Sequence, residues 1–112
     1  MNIPYIKKLL RKREKDGFKI KNILQYKIEH IHNVSMDEVW DNLCNPINLI
    51  KVKAYPARSK HDESYRIYFE INKRKKLVVG ITYKKLKNRV IIITAFHTTR
   101  KTDKLIRKAK LR

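Results

Sequence analysis

The sequence predicts an α+β domain with helices first and an antiparallel sheet after them. Three observations lead there. Up to Pro46 the apolar residues recur at helical spacing, beyond Pro46 the period drops to two, and the later apolar runs are joined by short charged connectors of hairpin length. With 112 residues, 42% of them hydrophobic, the chain is one domain over 1–112 with a core of modest size.

The elements follow in order. Residues 4–15 place Ile6, Leu9 and Leu10 on one face among charges, with Pro4 tolerated in the first turn, so a basic helix is expected within 1–18. Gly17 stops it. Ile20, Ile23, Leu24, Lys27, Ile28 and Ile31 then read as one face of a second helix, with His30 and His32 flanking its end and Asn33 as the left-handed residue that closes it. Ser35 and Glu38 have the capping-box spacing, with Val34 and Val39 placed for a hydrophobic staple. The third helix carries Met36, Val39, Trp40, Leu43 and Cys44 on one side and ends at Asn45-Pro46.

Leu49 to Ala54 is Lys-interleaved and suits a sheet edge, and Tyr55 to Ser64 reads as a basic loop. Tyr65–Ile71, Leu77–Tyr83 and Val90–Phe96 complete four antiparallel strands. Thr98 or Thr99 is the expected cap of a basic C-terminal helix over 100–112, striped by Leu105, Ile106 and Ala109.

Charge narrows the function. There are 29 Lys+Arg against 10 Asp+Glu, a formal net of +19, spread along the whole chain and densest at its two ends. A domain that repels itself this strongly suits a polyanionic partner: RNA first, DNA as the other nucleic acid, an anionic membrane surface behind both. Cys44 is the only cysteine, which excludes an internal disulfide and a cysteine-rich zinc site. Two glycines leave no phosphate-cradling loop, and no apolar run approaches a membrane span. The N-terminus lacks the order of a secretory signal, so a cytoplasmic location without membrane binding is expected.

Metal-free RNA cleavage needs a base, an acid and cations for the charged phosphorane, and histidine suits the first two roles. His97 ends the last strand beside Thr98, Thr99, Arg100 and Lys101, where base and cations would converge on one phosphate. A solvated strand end is the plain structural reading of the same residue. His30 and His32 read first as helix-end packing. Arg66 shares a strand face with Tyr68 and Glu70, either an RNA-binding surface on which Tyr68 stacks a base or an ordinary solvated face. Arg58, Lys60 and His61 add cations from the loop. No metal constellation and no cofactor are expected.

The order of motifs resembles the BrnT toxin family. His32-Asn33-Val34-Ser35-Met36 is similar to its Lys-His-Gly-Val-Ser-Phe entry, and a short acidic helix ending at proline follows in both. Tyr65-Arg66-Ile67 and Leu77 to Tyr83 are similar to its next two strands, and Arg89 to Lys101 to its Arg-Ile-Ile-Ser-Ala-Arg-x-Ala-Thr-Arg-Arg signature. The resemblance spans about 22–103. Phe96 stands where the family has arginine, and Thr94 where it has serine. A related group of uncharacterised small domains with the same element order ends its strand in Thr-Ala-Tyr, closer to Thr94-Ala95-Phe96. The BrnT resemblance implies a RelE-like fold, a metal-independent endoribonuclease of a type II toxin–antitoxin system and a cognate acidic antitoxin. It implies Arg66, Arg89, Thr99 and Arg100 as functional positions beside His97, with His32 matching the family histidine. A non-catalytic nucleic-acid-binding module, or an interaction protein docking a partner through its N-terminal helix, is the alternative.

Overall fold

The computed structural model describes residues 3–11 and 17–99. Helix α1 (Ile3–Arg11) is followed by strand β1 (Phe18–Ile20), helix α2 (Asn22–Tyr26) running into a π-helical turn (Lys27–Ile31), and helix α3 (Met36–Cys44). Strands β2 (Leu49–Tyr55), β3 (Asp62–Asn72), β4 (Lys75–Lys84) and β5 (Arg89–Thr99) complete the described chain, with a short 3-10 turn at Lys85–Lys87. The α+β class is as the periodicity predicts.

The sheet differs from the expectation. It has five strands in the order β1-β5-β4-β3-β2, and β1 runs parallel to β5, so the sheet is mixed rather than a four-stranded antiparallel meander. Three residues after Gly17 are too few to show a strand period. Ile20, assigned by spacing to the second helix, pairs with Ile92 instead. The β2 edge position is as its interleaved lysines predict, and the hairpins β3–β4 and β4–β5 are as the charged connectors predict. At the other end, β5 continues to Thr99, so Thr98 and Thr99 both belong to the strand. The C-terminal helix expected over 100–112 lies outside the described residues.

Alternation sorts each strand between two faces. One face buries Tyr65, Ile67 and Phe69 from β3, Leu77, Val79 and Ile81 from β4, and Val90, Ile92 and Ala95 from β5. Ile6, Leu9 and Leu10 of α1 and Met36, Val39 and Leu43 of α3 close over them as one continuous core. Phe18 of β1 meets Trp40 of α3 with ring centroids 6.1 Å apart.

The second helix is shorter and more irregular than its spacing suggests. The amide of His32 reaches back five residues to the Lys27 carbonyl, which widens the last turn. Widening breaks the 3.6-residue register: Ile28 is buried, while Ile23 and Ile31 stay 66% and 65% exposed. Asn33 then takes φ 58°, and the Val34 amide returns to the Ile28 carbonyl, so the chain closes at the asparagine as expected.

A polar lock fastens α1 to the sheet. The Tyr5 hydroxyl donates to Glu63 Oε1 at 2.6 Å, and Lys85 Nζ lies 3.0 Å from Oε2. Burial, then the neighbouring Glu63 carboxylate, pushes the Tyr65 hydroxyl up to about 12, and the same two causes raise Tyr5 above the tyrosine range. Burial alone would raise Glu63. The hydrogen bonds from Tyr5, Lys85 and Tyr65 outweigh it and hold the carboxyl below its ordinary value.

Candidate nucleic-acid interface

The second face of the sheet is built from the alternate residues of the same strands. Register aligns Lys53 with Arg66, Arg66 with Gly80, and Gly80 with Thr94. The next row aligns Lys51 with Tyr68, Tyr68 with Val78, and Val78 with Phe96. Cations and rings therefore interleave across this face. The Arg66 guanidinium lies 5.0 Å from the centroid of the Tyr55 ring and 6.0 Å from that of Phe96. Lys53 Nζ sits 5.5 Å from the Tyr55 ring, and Lys51 Nζ 5.3 Å from the Tyr68 ring. At the end of the π-helical turn the His32 ring meets Phe96 at 6.2 Å. Gly80, paired with Arg66 on one side, lets Thr94 pack close on the other, since a Cβ there would stand 3.0 Å from Thr94 Cγ2.

An open cleft of about 590 Å³ adjoins this ladder. Lys21, Arg58 and Lys84 edge it, Ile91 and Ile93 contribute apolar surface, and the β2–β3 loop forms one wall. A bulge makes its floor. Gly80 pairs with Thr94 but Ile81 pairs with Ile92, so Ile93 is an extra residue, turned toward the cleft with Ile91.

His97 lies elsewhere. It pairs with Leu77, which puts it on the helix-covered face, and its Nε2 donates to both Glu38 oxygens at 2.9 and 3.1 Å. Arg66, which the resemblance joins to His97 in one site, is on the opposite face, so these two side chains do not meet at one phosphate. The Glu38 carboxylate is thereby taken from the capping box: Ser35 occupies the N-cap position with extended backbone but makes no side-chain cap bond.

The other sequence-singled residues are scattered. Arg89 opens β5 and Thr99 ends it, ten residue steps or on the order of 30 Å apart, so Arg89 does not join a site at the strand's far end. Arg66 and Tyr68 are brought together on the open face. Arg58 lines the cleft, whereas Lys60 and His61 sit exposed on the β2–β3 loop. Arg100 and Lys101 lie outside the described residues.

Sequence reasoning missed Lys51, Lys53, Tyr55 and Phe96 as partners of Arg66 and Tyr68. Period two from Lys51 to Tyr55 was the available signal, but it needs the β2–β3 register before it points anywhere. Among the described residues no His, Cys, Asp and Glu cluster has the makings of a metal site, and no helix is long and apolar enough to cross a membrane. Comparison with family models, curated proteins and solved structures finds no match. The BrnT resemblance rests on its motifs alone.

Proposed function

We propose that the open sheet face binds RNA as a single strand, with Tyr68, Tyr55 and Phe96 offering stacking surfaces and Lys51, Lys53 and Arg66 neutralising phosphates. The observation that carries this reading is the interleaving of three cations with three rings on one face of a chain with net charge +19. Single-stranded nucleic acid is what such a surface suits: every base has a π-face, and the backbone supplies a regular row of anions. Fluorescence anisotropy with labelled single-stranded and duplex RNA of one sequence tests it. Tighter binding of the single strand is expected, and preference for the duplex contradicts it.

The second reading is a toxin-like, metal-independent endoribonuclease restrained by an acidic antitoxin. What favours it is the position of His32, an exposed histidine beside Phe96 on the face that carries Arg66. In that reaction His32 accepts the 2′-hydroxyl proton and the 2′-oxygen attacks phosphorus. Arg66 offsets the charge of the phosphorane, and the 5′-oxygen leaves with a proton from water, giving a cyclic phosphate. Labelled RNA incubated in EDTA between about pH 5 and 9, around the histidine range, separates the readings. Cleavage lost in His32→Ala but kept in His97→Ala supports the enzyme. Tight binding without cleavage leaves the binding module.

A further inference from the structure

The cleft beside the ladder has features that stacking and backbone neutralisation do not require. Its apolar surface comes from Ile91 and Ile93 on the sheet with Leu24, Pro56 and Ala57 around them, and Ile93 is brought there by a β-bulge that interrupts an otherwise regular hairpin. Such a surface suits the face of a planar heterocycle. Lys21 and Arg58 stand at the rim, where a phosphate attached to that heterocycle would lie. Asp62 also lines the cleft, on a face otherwise dominated by cations. Among the described residues its ion pair is a loose one, Lys84 Nζ to Oδ2 at 3.8 Å, and its carboxylate accepts no hydrogen bond. A carboxylate placed where polyanions are to bind repels phosphate, so its plainest use there is to accept hydrogen bonds from a base.

We propose that this cleft takes one unstacked base of the bound strand and that Asp62 selects guanine. This rests on the reading of the open face as an RNA-binding surface. An ionised carboxylate presents two acceptors side by side and no donor. Guanine alone among the four bases offers two adjacent donors, N1–H and the 2-amino group, on its Watson–Crick edge. Adenine and cytosine pair a donor with an acceptor there, and uracil sets its one N–H between two carbonyls. Asp62 therefore makes two hydrogen bonds to guanine and at most one to any other base. Behind it the Ser64 and Thr82 hydroxyls are hydrogen-bonded to one another at 3.0 Å, a polar edge to an otherwise apolar floor. The ladder beyond, at Tyr55 and Arg66, carries the strand onward.

The test uses the full chain and uridine oligonucleotides of about ten residues, a length within the usual span of such surfaces. The central residue is uridine, adenosine, cytidine, guanosine or inosine. The guanosine oligonucleotide is expected to bind about tenfold more tightly than the all-uridine strand. Inosine, which keeps N1–H but lacks the 2-amino group, falls between. Asp62→Asn, whose amide mixes a donor with an acceptor, is expected to abolish the preference while leaving uridine binding unchanged or slightly tighter. Equal affinity for all five oligonucleotides overturns the guanine pocket and leaves the face reading standing. So does a guanosine preference that inosine matches fully or that survives in a folded Asp62→Asn. Failure of every oligonucleotide to bind overturns the face reading and the pocket with it. The inosine comparison needs only the wild-type protein, so it decides even where the variant does not fold.

Discussion

Arg66 is the residue on which the open face turns. Its guanidinium is within cation–π reach of both Tyr55 and Phe96, and the two contacts restrain a flexible side chain before any phosphate arrives. Arg66→Lys keeps the charge but loses the planar group, so RNA affinity should fall while the melting temperature changes little. Equilibrium binding and thermal unfolding of the same sample check both halves. Tyr68→Ala should cost about 1–3 kcal/mol of single-strand binding if a base stacks on that ring. The two histidines separate cleanly at this scale. His97, tied to Glu38 on the helix-covered face, contributes to stability: His97→Ala should lower it by about 1 kcal/mol in denaturant unfolding and leave RNA affinity as it was. A loss of binding with stability intact would place His97 back in the site.

Among the elements, α1 is held by its buried Ile6, Leu9 and Leu10 and also by one polar group, the Glu63 carboxylate on β3. The Glu63 carboxyl, held below its ordinary 4.5, favours the folded state above that pH, and the gain is lost as pH falls through the folded value. Tyr5 and Tyr65 titrate above their ordinary 10.0, so their contribution holds below pH 10 and is lost as pH rises toward 12. A plot of melting temperature against pH should therefore drop at both extremes. Tyr5→Phe should soften the acid limb and cost about 1 kcal/mol at neutral pH. A variant curve parallel to the wild type at every pH would mean that the Tyr5–Glu63 bond does not fasten the helix. Ser35→Ala, by contrast, should be nearly silent, because the expected capping box is replaced by the Glu38–His97 pair. Elements with long, consistent periods were legible in the residues: α3, the β2 edge, both later hairpins and the left-handed Asn33. What escaped was decided by tertiary contact. Phe18–Ile20 is a strand because β5 has an edge for it to join, and the second helix loses its stripe to a widened turn that no local pattern announces. The candidate site was half legible for the same reason. Arg66 and Tyr68 share a strand face by period two, whereas Lys51, Lys53, Tyr55 and Phe96 join them only through the register of neighbouring strands.

At the scale of the whole molecule the sheet is a partition. One face is spent on the core under α1 and α3, and the other gathers rings together with cations, which a core would exclude. Net charge of +19 alone would bind polyanions anywhere on the surface, so the central claim is that the open face carries a distinct share of that binding. The salt dependence of affinity for a single-stranded RNA measures this most directly, taken for wild type and for two triple variants of equal charge. One is Lys51→Ala, Lys53→Ala and Arg66→Ala on the open face; the other is Lys73→Ala, Arg74→Ala and Lys87→Ala at the hairpin tips. Each phosphate neutralised contributes a log–log slope of about −0.7 on single strands, so the open-face variant should lose about 2 units of slope and the hairpin-tip variant almost none. Equal losses in the two variants would mean that binding follows total charge rather than this face, and would contradict the account.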